Sequence, residues 1–435
     1  MNITMVLLIV ALVFIITLFG GLHISSVLII SGLVGIYLIV GFDSVISIIQ
    51  VDTFSTVASY TLTTIPLFVL MSQYIIKADI VKYLYSLVFL MSRGKAAFLG
   101  IFTIILGGFL GAVSGSASAM SAALGQFAVP ELKKHGYSET FAASIAAAAG
   151  SLSTIIPPSI GLIVYGAITQ TSISSLFIAV IIPGILTIIV LSAIVVFIYL
   201  REAKKNPVID TEVSETYSIK NYVISVITGL LIMSAIFGGI YSGIFTPTEA
   251  GGVGAFITLI AALLLGKVDL EFIKSSTRET LKITAMVMLI MVGATVFSRF
   301  VTLSQLPQTL IEVVGPLTET PIIVIIILLV IYFIAFMFLE GAAAIVMLVP
   351  ITLPLATSVG LTPLEFGVLI TVVGTAGLIT PPVGISTYAV SGVLGISSAR
   401  IFKYTMLYAV ILTIVVTGIL VVFPELINWL PDSMK

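Results

Sequence analysis

Long apolar segments follow one another along almost the whole chain, and short polar stretches separate them. Residues 3–19 and 24–40 open the series, 176–200 lies near its middle, and 404–423 closes it. A transmembrane α-helix needs about 20 consecutive, mainly apolar residues to cross the hydrocarbon core. The pattern therefore predicts an all-α polytopic membrane protein.

Amphipathic pieces interrupt the apolar series. Residues 43–54 and 267–282 mix apolar and charged positions, which is typical of helices that lie along a membrane surface. The second piece is followed by an apolar span at 283–300. Another span, 57–76, is predicted to bend at Pro66, because proline removes a hydrogen bond from a helix.

Two of the predicted spans, 141–168 and 366–390, contain a pair of prolines, Pro157–Pro158 and Pro381–Pro382. Proline has no backbone N–H, and its ring clashes with the preceding turn of a helix. A continuous helix cannot pass through two adjacent prolines. We therefore expect both spans to be broken near their middle.

The two breaks belong to a repeat with a constant shift of 224 residues. Gly150 corresponds to Gly374 ahead of the prolines, and Pro130 corresponds to Pro354 further upstream. Broken spans at matching places in two halves are the best sequence indication of a transporter binding site. Two proline-kinked helices in a structural bundle are the competing interpretation, which the second copy in register disfavours.

Two further segments, 98–129 and 322–353, are apolar but interrupted by small or polar residues. The first contains the hydroxyl-rich stretch 111–118, and the second contains Leu339-Glu340-Gly341-Ala342. Each is predicted to be a re-entrant helical hairpin with its tip inside the membrane, where backbone needs cover from protein or a water-filled cavity. The alternative is a pair of crossing helices packed through small residues.

The distribution of basic residues gives a topology. The polar stretch 201–220 is the predicted linker between two halves, 1–200 and 221–435. If hairpins count as no crossing and broken spans as one, all lysines and arginines except Arg299 and Lys435 fall on one side. The positive-inside rule makes that side cytoplasmic.

With this count each half crosses the membrane five times. Five is odd, so the second half enters from the opposite side and the two repeats are inverted. The first hairpin then opens to the cytoplasm and the second to the periplasm. Both termini are predicted to be periplasmic.

Composition supports this class and excludes others. Hydrophobic residues make up 59% of the chain and charged residues 9%, against about 25% charged residues in soluble domains. The net charge of −1 gives no reason to expect a nucleic-acid partner. The chain has no cysteine and two histidines, which argues against thiolate or histidine metal sites and against an intramembrane enzyme. A purely structural scaffold would leave the paired breaks unexplained.

Backbone carbonyls freed ahead of the prolines, together with nearby hydroxyls, are hard oxygen ligands that suit Na⁺ better than a soft metal. The first predicted cation site comprises Ser114, Gly115, Ser116, Gly150, Ser153, Thr154 and Pro157. The second comprises Glu340, Gly341, Gly374, Thr375, Gly377, Thr380 and Pro381. The solute is expected between the tips, near Ser116, Ser118, Ser159, Ser386 and Thr387.

Three charged residues have alternative roles. Glu340 lies in an apolar segment, where an acid is by default functional, and both helix capping and ion coordination are open for it. Glu249 follows Thr246-Pro247-Thr248, a pattern that favours a helix start over a proton relay. Arg299 is interpreted as a snorkelling residue at a span end rather than a substrate anchor.

Several stretches together resemble the large membrane subunit of tripartite ATP-independent periplasmic (TRAP) transporters. They are spread over nearly the whole chain, in the order that the family has. These stretches are 65–71 (Ile-Pro-Leu-Phe-Val-Leu-Met), 111–119, 142–166 with its Ile-Pro-Pro-Ser-Ile core, 243–250 (Gly-Ile-Phe-Thr-Pro-Thr-Glu-Ala) and 377–384 (Gly-Leu-Ile-Thr-Pro-Pro-Val-Gly).

The resemblance implies an inverted-repeat, elevator-type secondary transporter of the bacterial inner membrane, driven by a Na⁺ gradient. It implies two partners, a small four-span membrane subunit and a periplasmic substrate-binding protein. It also implies an organic-acid substrate, such as a dicarboxylate, sialic acid or another carboxylate. A stand-alone Na⁺/dicarboxylate symporter of related architecture is the alternative.

The chain departs from the family pattern at two places. The second hairpin of the family usually reads Leu-Asp-Pro-Thr, where this chain has residues 339–342, Leu-Glu-Gly-Ala. The family usually has an asparagine and an acidic or polar residue before the second pair of prolines, where this chain has 371–376, Thr-Val-Val-Gly-Thr-Ala. Both departures fall at the second predicted cation site.

Overall fold

The computed structural model of the chain describes residues 2–91, 96–202, 218–315 and 320–433, and every regular element in these ranges is a helix. The first half contains α1 (Ile3–Phe19), α2 (Ile24–Val40), α3 (Phe42–Val57), α4 (Thr64–Lys77), α5 (Ile80–Met91), α6 (Ala96–Ser114), α7 (Ala117–Lys134), α8 (Glu139–Ser151), α9 (Ile160–Thr169), α10 (Ile173–Ala179) and α11 (Ile181–Glu202). Most of the predicted linker, 203–217, lies outside the described residues.

Two π-helical segments, Ser234–Gly238 and Leu412–Thr417, lie within the spans of the second half. The second half contains α12 (Ile219–Met233), α13 (Gly239–Tyr241), α14 (Pro247–Leu264), α15 (Leu270–Leu303), α16 (Leu306–Val314), α17 (Pro321–Phe338), α18 (Gly341–Ser358), α19 (Pro363–Gly377), α20 (Ile385–Leu394), α21 (Ser398–Ile411), α22 (Gly418–Val422) and α23 (Glu425–Asp432).

The helices form a multi-pass membrane protein. In the described ranges seven helices are long and apolar enough to cross a membrane, and the bent pair α3–α4 brings the number to eight if it counts as one span. Large apolar side chains such as Leu230, Phe256 and Ile414 are exposed on these helices. Such faces suit the hydrocarbon of a bilayer, in which helices satisfy their own backbone polar groups.

Helices α6 and α7 form an antiparallel hairpin. Tyr85 Oη lies 3.2 Å from Thr103 Oγ1 on α6 and donates at 3.5 Å to the Ala128 carbonyl on α7. Positions about equally far from the turn at Gly115 therefore lie side by side. Gly115 has a φ of +61°, which glycine adopts without the steric cost that other residues have.

Helices α17 and α18 form the second hairpin. Tyr332 Oη on α17 lies 2.9 Å from Thr352 Oγ1 on α18, and the chain turns between them at Leu339 and Glu340. The arms of both hairpins extend a few residues beyond the predicted ranges 98–129 and 322–353. Each arm of the second hairpin is long enough to cross a membrane by itself, so its re-entrant depth stays a prediction.

Both proline-containing spans are broken, as predicted, into α8 and α9 and into α19 and α20. Tyr165 on α9 donates at 2.5 Å to the Pro363 carbonyl at the start of α19. Helix α20 packs against α7 and α8, with Val390 beside Gly125. The end of each broken helix thus lies beside the other broken helix near its start, so the two run in opposite directions.

Two predicted boundaries are wrong. The pieces 267–282 and 283–300 are one helix, α15, of 34 residues, which is about 51 Å long at 1.5 Å per residue and so extends beyond the hydrocarbon core. The bend predicted at Pro66 lies at Ala58 and Ser59. Pro66 falls in the first turn of α4, where a missing N–H costs no intrahelical bond.

A helix after the last predicted span was missed. Helix α23 packs against α10, α11 and α19. At the start of α19, Thr362 and Glu365 form a capping box, and Asn428 on α23 donates to Glu365 Oε1 at 2.7 Å. A second capping box, of Thr246 and Glu249, starts α14. The predicted capping role of Glu249 is therefore confirmed.

Candidate functional site

The first break, residues 152–159, begins where α8 ends at Ser151. A 3₁₀ turn, Leu152–Thr154, follows, then a cis Pro157–Pro158 peptide, and α9 begins at Ile160. Helix α7 approaches α8 closely at Gly150, where a β-carbon would lie 2.5 Å from Ser121 N and 2.6 Å from Ser121 Cα. Only glycine fits there, because the backbone of α7 occupies the space of a side chain.

The second break, residues 378–384, separates α19 from α20 and contains a cis Pro381–Pro382 peptide. A β-carbon on Gly374 would lie 2.7 Å from the Phe336 ring, and one on Gly377 would lie 2.9 Å from the Phe333 carbonyl oxygen. Helix α17 therefore packs against α19 through these two glycines. The contact at Gly374 is with a ring, whereas the contact at Gly150 is with backbone.

The first tip, Gly115 and Ser116 between α6 and α7, lies against the first break. A β-carbon on Gly111 would lie 2.9 Å from Ser153 N, and one on Gly115 would lie 3.1 Å from Ile160 Cγ1. Ser116 Oγ caps α7 by accepting the N–H of Ala119 at 3.4 Å. Ser114 ends α6, and its side chain is outside the described part of the structure.

The second tip, Leu339 and Glu340 between α17 and α18, lies against the second break. Gly384 N donates to the Met337 carbonyl at 3.0 Å, which joins the arm directly to the break. A β-carbon on Gly341 would also lie 4.0 Å from Thr154 Cγ2. The second tip therefore approaches the first break too, and the two predicted cation sites are neighbours.

Glu340 has the position of a helix cap. It is the N-cap residue of α18, with φ −68° and ψ 151°, and its carboxyl group lies near the Ala342 N–H of the first turn without the geometry of a full capping hydrogen bond. The residue is partly exposed. Of the two roles left open by the sequence, capping is met only by this weak contact, and the role in ion coordination remains untested.

Three of the hydroxyls predicted for the cation sites donate to backbone carbonyls close by. A hydroxyl that donates its hydrogen keeps its lone pairs for a cation. The bonds are Ser153 Oγ to Gly150 O at 2.9 Å, Thr375 Oγ1 to Thr371 O at 3.0 Å and Thr380 Oγ1 to Ala376 O at 2.7 Å. The geometry thus leaves oxygen atoms available for a hard cation on both breaks.

The residues predicted for the solute fall into two groups. Ser116 and Ser118 are partly exposed at the first tip, with 3.2 Å between their Oγ atoms. Ser159, Ser386 and Thr387 are buried. Ser159 Oγ donates to the Thr154 carbonyl at 2.8 Å, whereas Ser386 Oγ, in the first turn of α20, has no partner among the described residues. The second group is therefore not accessible to a solute in this conformation.

One polar cavity lies away from all the predicted site residues. It has a volume of about 420 Å³ and lies between α3, α15 and the end of α9. Arg299 is one of its lining residues, so we call it the Arg299 cavity. The sequence carried a signal for it, since Asp52, Ser55, Thr56 and Ser59 recur at the spacing of one helix face.

The chain matches the family described as "Tripartite ATP-independent periplasmic transporter, DctM component" over residues 10–426. It is 34% identical over 398 residues to the C4-dicarboxylate TRAP transporter large permease protein DctM of Pseudomonas aeruginosa, with 90% of this chain and 91% of that protein covered. It is 30% identical over 375 residues to the sialic acid TRAP transporter large permease protein SiaM of Vibrio cholerae, with 86% and 87% covered.

A solved structure shares the fold. The YdaH transporter of Alcanivorax borkumensis, described as having an unusual topology, aligns with a TM-score of 0.66 over 88% of each chain, at 14% sequence identity. The curated relatives are named as permeases. The family match spans nearly the whole chain, so the resemblance drawn from the separate stretches is confirmed. The chain belongs to the DctM family, the large permease component of tripartite ATP-independent periplasmic transporters.

Proposed function

We propose that the chain imports a small organic acid across the bacterial inner membrane, driven by a Na⁺ gradient. The observation that carries the proposal is that each hairpin tip meets a broken helix, and that the two broken helices run in opposite directions. Discontinuous helices in inverted repeats form the solute and ion sites of many secondary transporters. Both termini would be periplasmic, as the basic residues indicate.

Two Na⁺ sites are proposed, one at each break. Hydroxyls such as Ser153 and Thr380 donate their hydrogens to backbone, which leaves lone pairs that can coordinate a hard cation. At the second break Glu340 would add a carboxylate, which has only a weak contact with the Ala342 N–H to give up. This charge would take the place of the aspartate usual in the family.

The solute is proposed to bind between the tips. Ser116 and Ser118 are partly exposed, and Ser386 offers a buried hydroxyl without a described partner. The start of α20 also carries a partial positive charge, which favours a carboxylate. Because Ser386 and Thr387 are buried, the proposal requires an opening movement, for which an elevator motion of the tips and breaks against the other helices is the proposed form.

The partners follow from the family. We propose that the chain works with a small four-span membrane subunit and a periplasmic binding protein that delivers the solute. Full-length similarity to two large permeases of tripartite systems favours this over a stand-alone Na⁺/dicarboxylate symporter. Those relatives are named for C4-dicarboxylates and sialic acid, which supports a carboxylate substrate here.

Uptake in proteoliposomes tests the proposal. The chain and its small subunit are reconstituted, and the loaded binding protein is supplied outside under an inward Na⁺ or K⁺ gradient. Uptake is expected to require both Na⁺ and the binding protein. Pro157→Ala and Pro381→Ala should reduce uptake while membrane insertion stays intact, and Pro183→Ala in α11 is the control outside the breaks. Equal uptake with K⁺, or without the binding protein, would contradict the proposal.

A further inference from the structure

The Arg299 cavity lies between two helices that face each other with polar stripes. On α3 and just after it, the stripe is Asp52, Ser55, Thr56 and Ser59. On α15 it is Thr295, Ser298, Arg299 and Thr302. Both sets have the spacing i, i+3, i+4, i+7, which places their members on one face of a helix.

Two contacts join the stripes without filling the space between them. Thr56 Oγ1 lies 3.0 Å from Thr295 Oγ1, and Arg299 Nε lies 3.4 Å from Asp52 Oδ2. A volume of about 420 Å³ remains, within the roughly 300–1,000 Å³ of small-molecule sites. Ser55 and Arg299 at its edge are exposed, so the cavity is open to solvent and a small molecule can enter it.

The cavity is lined by one positive and one negative side chain, and the positive one lies nearer to the solvent. The Asp52 side chain is 16% exposed and the Arg299 side chain 52%, so a ligand entering from water meets the cation first. Asp52 contacts Nε, and this contact does not use the two terminal nitrogens of the guanidinium. These nitrogens present paired donors, the geometry that binds a carboxylate with two parallel hydrogen bonds.

A second cavity extends the first along the end of α9. It has a volume of about 340 Å³ and shares Ser59, Ala167 and Gln170 with the Arg299 cavity. Thr171 and Thr248 line it, so hydroxyls continue beyond the arginine. The two cavities together lie along the C-terminal end of α9, which is the second segment of the first broken helix. The first predicted cation site lies at the break before α9.

We propose that the Arg299 cavity is a binding site for a small carboxylate, with the terminal guanidinium nitrogens of Arg299 on the carboxylate and the two hydroxyl stripes on its polar substituents. It is separate from the site proposed between the tips. That the bound carboxylate is the transported solute, held before it reaches the tips, rests on the proposed function. The binding itself does not depend on Na⁺ coupling.

Thiol labelling tests the site directly, because the chain has no cysteine. Ser298→Cys places one thiol in the cavity, and the protein is labelled in nanodiscs with anionic and cationic methanethiosulfonate reagents of similar size. The ratio of anionic to cationic rates should fall about fivefold when Arg299→Gln is added, since one unit charge close to the thiol is removed. Arg400→Gln, an exposed arginine at the start of α21, is the matched control and should leave the ratio unchanged.

Ligand protection gives the second readout. Millimolar succinate or N-acetylneuraminate should slow labelling of Ser298→Cys at least threefold, and neutral succinamide should not. Arg299→Gln should remove the protection, and Arg299→Lys, which keeps the charge but not the paired donors, should retain part of it. The melting temperature of each variant shows that it is folded.

A parallel labelling reaction contains the binding protein without its ligand. Three results would overturn the site: no protection by either carboxylate, equal protection by them in Arg299→Gln, or protection by the ligand-free binding protein alone. The last result would make the surface a protein-docking site instead. Uptake that does not depend on Na⁺ would contradict the proposed function. It would not affect the conclusion that the labelling experiment gives about carboxylate binding in the Arg299 cavity.

Discussion

The two breaks have the same arrangement of helices around them but differ in the groups that pack against their glycines. At the first, backbone lies against backbone, with Ser121 on Gly150 and Ser153 on Gly111. At the second, the Phe336 ring fills the space over Gly374, and the Phe333 carbonyl lies against Gly377. Gly150 should therefore tolerate a side chain less well than Gly374, because a peptide backbone cannot rotate away as a side chain can.

The chemistry at the two tips differs in the same way. The first tip offers hydroxyl and peptide oxygens around Gly115 and Ser116. The second adds the carboxylate of Glu340, which is partly exposed and has only a weak capping contact. The two proposed Na⁺ sites therefore have different ligand sets, and they should respond differently to equivalent substitutions.

The largest expected effect is a loss of stability, and it should differ between a glycine that faces backbone and a glycine that faces a ring. Gly150→Ala should destabilise the protein by about 3 kcal/mol or abolish folding, because α7 must shift. Gly374→Ala should cost less, about 1–2 kcal/mol, since only the Phe336 ring must move. Thermal unfolding and uptake measure both variants.

The control for this pair is Gly392→Ala on α20, where a β-carbon would meet nothing within 4 Å. It should be neutral or stabilise by up to about 1 kcal/mol, because alanine favours a helix. Equal losses in Gly150→Ala and Gly374→Ala would remove the distinction between backbone and ring contacts.

A smaller effect is expected on the apparent affinity for Na⁺, and it should differ between the two proposed cation sites. Glu340→Gln should raise the Na⁺ concentration for half-maximal uptake about tenfold, as expected for losing one charged ligand. Ser153→Ala should raise it about threefold, because a neutral hydroxyl contributes less. Na⁺ titrations of uptake at saturating solute measure both. A larger shift for Ser153→Ala than for Glu340→Gln would reverse the assignment.

The smallest expected effect is the loss of an N-cap, and it should be about equal at the first residues of the two broken helices. Ser138 Oγ accepts the N–H of Phe141, and Thr362 Oγ1 accepts that of Glu365. Replacing either cap by alanine should lower the free energy of unfolding by about 1 kcal/mol. Ser397, which caps α21 without a side-chain bond, provides a control that alanine should leave unchanged. Losses that differ widely between Ser138→Ala and Thr362→Ala would show that the starts are not equivalent.

The breaks and turns of the fold could be predicted from the sequence, because prolines and glycines determine the backbone conformation at their own positions. Both breaks, both hairpins and the cap at Glu249 follow from residues whose backbone preferences decide a few positions. The helices α1 and α2 coincide with their predicted ranges, since Gly20, Gly21 and Gly41 end long and mainly apolar runs.

Other features were not predicted, some for local reasons and one because it depends on a distant contact. The bend beside α4 lies at Ala58 and not at Pro66, because proline is tolerated in a first helical turn. Helix α15 is continuous, since no proline or glycine separates its polar start from its apolar end. The approach of Gly341 to Thr154 joins residues from the two halves of the chain, and neither local spacing nor composition predicts such a contact.

The central claim is that the two breaks, each facing a hairpin tip, hold Na⁺. The most direct test is the melting temperature of the purified chain in NaCl against choline chloride and KCl at equal ionic strength, because a ligand that binds the folded state stabilises it. We predict a rise specific to Na⁺ that is reduced in Ser153→Ala, reduced more in Glu340→Gln and lost in the double variant. An equal rise with K⁺, or a full Na⁺ response in the double variant, would contradict the account.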